Sequence, residues 1–166
     1  SSRLRGRCAV VTAGTQGIGL AIADRLAAEG ARVFICSRKA ANVDAAIAEL
    51  RASGRDCAGA PCNVGDVRQL EGFVKAAVDF FQGKPIDVVV SNAGINPMAG
   101  HTLDMSDDLF DKIMNVNVKS HWQLIKLCRP HLAPKASIIL VSSVGGVQPA
   151  PPLGLYCISK TALVSL

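Results

Sequence analysis

The chain has 166 residues, 49% of them hydrophobic, with 18 basic and 13 acidic side chains and a formal charge of +5. That length suits one domain with a core of its own, and 19% charged with 4% aromatic residues excludes disorder, collagen-like repeats and a small disulfide scaffold. No apolar run approaches the roughly eighteen residues of a membrane span, and singly scattered Lys and Arg with one Trp and one Tyr argue against nucleic acid as a partner.

Periodicity then predicts alternating strands and helices. Arg7 to Thr12 (RCAVVT) is a nearly continuous apolar run, the signature of a parallel strand buried on both faces. From Gly17, apolar Ile18, Ala21, Ile22 and Leu26 recur at helical spacing, and Gly30 suits a C-terminal cap. Ala31 to Cys36 is a second strand, followed by a helix from about Val43 to Ala52 and a weaker strand over Asp56 to Asn63. Leu70, Phe73, Val74, Ala77 and Phe81 mark one face of the next helix. Ile86 to Ser91 is strand four, a long amphipathic helix covers about Ser106 to Cys128, and Ser137 to Ser142 is strand five. After the turn Pro149-Ala150-Pro151-Pro152 a helical pattern resumes near Leu155 and runs to Leu166. Such alternation implies α/β architecture: a doubly wound parallel sheet with right-handed crossovers and helices on both faces.

The six cysteines (Cys8, Cys36, Cys57, Cys62, Cys128 and Cys157) form no CxxC pair and sit in apolar or strand-like surroundings, so they read as free thiols of a reducing compartment. His101, His121 and His131 share no ligand-type spacing with each other or with Cys, so no metal site is expected. The opening SSRLRGR is too short and too polar for a signal peptide and reads as solvated basic residues before the first strand; the remnant of a removed targeting sequence is the other reading of its arginines.

Between the first strand and its helix lies Thr12-Ala13-Gly14-Thr15-Gln16-Gly17-Ile18-Gly19. Small residues there let backbone approach a pyrophosphate, and the following helix aims its N-terminal N–H groups and positive dipole end at it. The dinucleotide fingerprint GxGxxG is absent in that form. Ala13, Gly17 and Gly19 instead occupy the three glycine positions of a T-G-x-x-x-G-x-G pattern, with alanine replacing the first. Four further landmarks follow in order: Asn92-Ala93-Gly94 after strand four, Asn117 mid-helix, Ser142-Ser143 at the end of strand five, and Tyr156-Cys157-Ile158-Ser159-Lys160 opening the last helix.

Together these landmarks resemble the short-chain dehydrogenases/reductases, over the whole chain. The resemblance implies a Rossmann-like fold and a nicotinamide cofactor. Ser143, thirteen residues before Tyr156 as in family members, is the candidate rather than Ser142. It implies a catalytic set of Asn117, Ser143, Tyr156 and Lys160. Tyr156 and Lys160 are four apart and share a helix face. A neighbouring ammonium favours the phenolate and brings a tyrosine, ordinarily near pKa 10, towards neutral acid–base work. Ser143 would hydrogen-bond the same substrate oxygen, Lys160 would also hold the nicotinamide ribose, and Asn117 would fix a water linking the lysine to solvent. Thr15, Gln16, Gly17, Ile18 and Gly19, with Ala13, would hold the pyrophosphate, and Asn92, Ala93 and Gly94 would line the cofactor cleft.

Strand two ends in Cys36-Ser37-Arg38-Lys39, with no carboxylate before Asp44. NAD enzymes usually place Asp or Glu there to hold the ribose hydroxyls. Ser37 leaves room for a 2′-phosphate, Arg38 offers it a planar fork of donors and Lys39 adds charge, so NADP(H) is the expected cofactor. Asn63 and Val64 fall where many relatives contact adenine. Within the family the chain looks most like the NADP-dependent retinol dehydrogenase/reductase branch that includes peroxisomal carbonyl reductases. The expected reaction is reduction of ketones or aldehydes to alcohols, and the reverse. A 3-oxoacyl-carrier-protein reductase and a catalytically silent nucleotide-binding scaffold are the alternatives. Family members continue for roughly 80 residues past the YxxxK helix, through two strand–helix units of about thirty residues or more. Residues 1–166 therefore read as a single NADP-binding domain with its C-terminal strands missing, expected to bind cofactor weakly, if at all, and not to turn over substrate. The family also implies a homodimer or homotetramer at full length, using the helices around Asn117 and Leu155. A cytoplasmic location is expected, with peroxisome and mitochondrion as alternatives.

Overall fold

A computed structural model describes residues 2–166; Ser1, the first of the residues before the first strand read above as solvated, lies outside them. Its centre is a parallel sheet of β1 (Cys8–Val11), β2 (Arg32–Ser37), β3 (Cys57–Pro61), β4 (Ile86–Ser91) and β5 (Leu132–Leu140), ordered β3-β2-β1-β4-β5. The strand order reverses between β1 and β4, and in such sheets the crevice at that switch point is where ligands bind.

Strand periodicity divides the core. Cys8 and Val10 of β1, with Phe34 and Cys36 of β2, face α3 (Val67–Phe80) and α5 (Ser120–Cys128) through Leu70, Phe73, Val74, Leu124 and Cys128. Ala9, Val11, Val33 and Ile35 point the other way, onto α1 (Gly17–Ala28) and α2 (Ala40–Ala52) through Ala23, Ala27, Ala46 and Leu50. Strand β1 is apolar throughout because both of its faces are covered. Gly30, at φ +95, ends α1 as expected: its N–H donates to Ala27 and that of Ala31 reaches back to Leu26.

Several boundaries differ from the periodicity. Helix α2 begins at Ala40, not near Val43, and β3 stops at Pro61, leaving Asn63 in the loop beyond it. Strand β5 starts at Leu132 rather than Ser137, because Leu132 pairs with Ile86 before an irregularity in register. Ser142 and Ser143 lie beyond its end. It is an edge strand, and Ile138 and Ile139 are 41% and 46% exposed.

The amphipathic stretch from Ser106 to Cys128 is not one regular helix. It comprises α4 (Asp107–Met114), a five-residue π segment at Asn115–Lys119, and α5. A π turn spreads the hydrogen-bond ladder locally, and this one contains Asn117. Helix α6 (Gly154–Ser165) packs beside it. All six cysteines are buried free thiols.

Candidate active site

The β1–α1 turn carries real backbone strain. Ala13 has φ +51 and Gly17 φ +53, both left-handed, a conformation that costs a residue with a Cβ about 1–2 kcal/mol and glycine little. Gly14, beside Ala13, serves packing instead: a Cβ there would press on Ile35 at 2.9 Å. At Gly19 a Cβ would run into the Ala13 carbonyl oxygen and lie 2.6 Å from Asn92 Nδ2. At Gly17 a Cβ would meet no protein atom within 4 Å. The N-terminus of α1 has no side-chain cap and no acidic residue in its first turn, leaving its N–H groups for another partner.

The turn is tied to the end of β4 by side chains. Asn92 Nδ2 donates to the carbonyls of Thr12 and Ala13, both at 3.2 Å, and Thr12 Oγ1 accepts from the N–H groups of Asn92 and Ala93 at 3.0 and 3.2 Å. The Asn92 side chain thus holds the switch-point loops together and does not face the cleft.

Beside this strap lies a cleft of about 540 Å³. Ala13, Thr15, Gln16, Ser37, Arg38, Lys39, Asn63, Val64, Ala93 and Gly94 line it, all anticipated from sequence. Ile18 is largely exposed outside its lining, and Gly19 is buried against Ala13 and Asn92. The fold adds Asn42, Cys62, Gly65, Ile95, Lys112, Asn115 and Val116. Cys62, Gly65 and Ile95 flank anticipated residues, whereas Asn42 of α2, Lys112 of α4 and Asn115 and Val116 of the π segment reach the cleft only through packing. Asn115 braces the rim by donating to the Gly65 carbonyl at 2.9 Å. Asn63 Oδ1 accepts from the Gly65 N–H at 3.2 Å, so the oxygen offered to adenine already makes a turn.

The second group of residues gathers where the loop after β5 meets α6. Lys160 is buried, and its Nζ donates to the Val141 carbonyl at 2.8 Å. It lies 5.8 Å from the centre of the Tyr156 ring. Gly94 passes directly over it, with a Cβ there falling 3.2 Å from Nζ. Burial holds the Lys160 ammonium below the ordinary lysine range. The two serines separate by geometry. Ser142 Oγ donates to the Lys160 carbonyl at 2.8 Å, whereas Ser143 Oγ accepts from the Gly145 N–H at 3.2 Å and its hydroxyl proton has no acceptor among the described residues. Gly146 permits this approach of loop and helix, since a Cβ there would sit 2.7 Å from Ser142 Oγ and 2.8 Å from the Lys160 carbonyl oxygen.

Asn117 is buried, and its side chain is committed. Oδ1 accepts from the Ile95 N–H at 2.8 Å, while Nδ2 donates to the Ile95 carbonyl at 2.8 Å and to Ser159 Oγ at 3.0 Å. Both amide protons are spent on the protein, so its side chain braces the cleft floor and α6. Among the described residues no cluster of three or more His, Cys, Asp or Glu is placed to hold a metal, and no helix is long and apolar enough to cross a membrane.

Residues 7–166 match the family model described as short chain dehydrogenase. The chain belongs to that family. It is 44% identical over 164 residues to the Tropinone reductase-like 3 of Erythroxylum coca, covering 99% of this chain and 63% of that protein. Over 165 residues it is also 44% identical to the Dehydrogenase/reductase SDR family member 4 of Sus scrofa, covering 98% and 58%. The chain thus spans about three fifths of the curated relatives it matches. A short chain dehydrogenase from Burkholderia cenocepacia in complex with NADP superposes with a TM-score of 0.90 at 34% identity, over 98% of this chain and 66% of that one. Another family member, from Burkholderia phymatum in complex with NAD, gives 0.91 at 25% identity, over 98% and 58%. Fold similarity therefore accompanies either nicotinamide cofactor.

Proposed function

We propose that residues 1–166 are the cofactor-binding domain of an NADP(H)-dependent oxidoreductase that reduces ketones or aldehydes to alcohols and runs the reverse reaction. One observation carries this reading: the cleft that ends at Gly94 over buried Lys160 is lined at its other end by Ser37, Arg38 and Lys39, with no carboxylate in its lining. The residues suit such a cofactor. The uncapped end of α1 and its bare glycine offer N–H groups to a pyrophosphate, and Arg38 and Lys39 are exposed and form no ion pair among the described residues. A nicotinamide bound there supplies the hydride and leaves the rest to the protein.

The chain's own groups then have distinct tasks. Tyr156 donates its hydroxyl proton to the carbonyl oxygen during reduction and accepts it back in oxidation. Lys160, beside that ring, would hold the nicotinamide ribose. Ser143 directs its uncommitted proton to the same oxygen and stabilises charge as it develops. Asn117 fixes Ile95 and α6 so that these groups keep their spacing. The names of the relatives, tropinone reductase-like and dehydrogenase/reductase, support a reductase or dehydrogenase role. Exposed Trp122, with Met114, Val118 and Leu166 in the same groove, suits pairing of subunits into a homodimer or homotetramer.

Fluorescence titration with NADPH and NADH tests the cofactor assignment. NADPH should bind at least tenfold tighter, and Arg38→Asp should remove the preference. Equal affinities in the wild type would refute it.

A further inference from the structure

Asn117 and His121 stand four residues apart, on the π segment and the first turn of α5, and both are fully buried. Their side chains reach the same short length of backbone. Asn117 grips Ile95 through its N–H and its carbonyl, and His121 Nε2 lies 2.8 Å from the Ala93 carbonyl oxygen. Gly94 lies between those two anchors, at the point where the cleft floor passes over Lys160. The other imidazole nitrogen, Nδ1, is buried with no partner among the described residues. A carbonyl demands a donor, so the ring proton belongs on Nε2.

We propose that His121 is a positioning residue of the cleft: with Asn117 it forms a two-point clamp from one helix on Ala93 and Ile95, setting the height of Gly94 above the Lys160 ammonium. The inference rests on Lys160 being the lysine of the site proposed above. Its logic is mechanical. Lys160 is fixed from below by its bond to the Val141 carbonyl, so its spacing from the cleft floor is decided by what fixes Gly94. Glycine has no side chain with which to anchor itself. Without His121, the last tether before Gly94 is the 3.2 Å bond from the Ala93 N–H to Thr12 Oγ1, which leaves the Ala93 carbonyl and the peptide plane behind it free to rotate. An apolar side chain at position 121 would fill the space without stranding a ring nitrogen; imidazole is explained by the bond that it donates.

The test uses the chain without cofactor, so it is separate from the test of the functional reading. In wild type, ring ¹⁵N shifts should report the Nε2–H tautomer, with that proton slow to exchange. In His121→Leu, hydrogen exchange at the Gly94 and Ile95 amides should accelerate at least tenfold while Val10 in β1 is unchanged. The Lys160 ¹⁵Nζ titration should move up towards the ordinary lysine range. His121→Gln, which retains an N–H in a similar place, should restore both readings. A wild-type Nδ1–H tautomer, exchange within twofold of wild type in His121→Leu, or equal loss in His121→Gln would overturn the proposal. If His121→Leu does not fold, the wild-type ring spectrum and His121→Gln decide. Equal affinities for NADPH and NADH while the clamp reads as described would refute the functional reading alone.

Discussion

Acid should destabilise this protein through His121. Burial pulls the imidazole down to about 4 from the ordinary 6.5, opposed by its bond to the Ala93 carbonyl and assisted by the Lys160 charge. The folded value lies below the unfolded one, so between them the unfolded chain holds the extra proton and stability rises with pH. The full contribution is present above about pH 6.5 and is lost as pH falls towards 4. At about 1.36 kcal/mol per pH unit the whole effect is about 3 kcal/mol, with about 2 kcal/mol of it gone by pH 5. Urea unfolding at pH 7.5 and 5.0, for wild type and for His121→Gln, isolates this residue because other titrating groups cancel in the difference. Wild type should lose about 2 kcal/mol more than the variant, roughly a thirtyfold change in the folding equilibrium. Equal losses would refute the premise that a neutral, buried imidazole is what the folded state requires.

Other outcomes follow from the same geometry. Arg38→Ala should weaken NADPH by about ten- to a hundredfold, the worth of charge-assisted hydrogen bonds, and leave NADH within a few-fold; the cofactor titration reads both. Gly19→Ala should destabilise by about 1–3 kcal/mol through overpacking against the Ala13 carbonyl and Asn92, measured by thermal or urea unfolding. Ala13→Gly should be neutral or stabilise by up to about 1 kcal/mol, because relief of the left-handed strain outweighs or matches the entropy that glycine adds to the unfolded chain. In a form of the protein that reduces a ketone with NADPH, Tyr156→Phe should cost at least about a hundredfold in rate while NADPH binding stays within a few-fold, measured by stopped-flow and titration.

The alternation of strands and helices was legible because parallel strands buried on both faces read as continuous apolar runs and their covering helices as amphipathic ones. The β1–α1 turn was legible from Ala13, Gly17 and Gly19, and ten of the cleft residues from family landmarks and strand ends. The break at Asn115–Lys119 was not. A π turn preserves helical periodicity to within one residue, so the pattern from Ser106 to Cys128 reads as a single helix. Lys112, Asn115 and Asn42 carry no local signal either, since their place in the cleft depends on how α4, the π segment and α2 meet the sheet.

The roles of individual polar groups depended most on the third dimension. Sequence by itself determined which residue types stand at each strand end: small ones at the phosphate turn, Arg38 with no acid after β2, and Tyr156 four before Lys160. Only the tertiary structure decided that Asn92 straps two loops together, that Asn117 spends both amide protons on protein acceptors, that Ser142 bonds to α6 while Ser143 keeps a proton to give, and that His121 is buried with its ring on the Ala93 carbonyl. The physical reason is that periodicity records which face a side chain occupies, a short-range property of the backbone. A hydrogen bond between residues dozens of positions apart depends on the register and packing of separate elements, which no local pattern encodes.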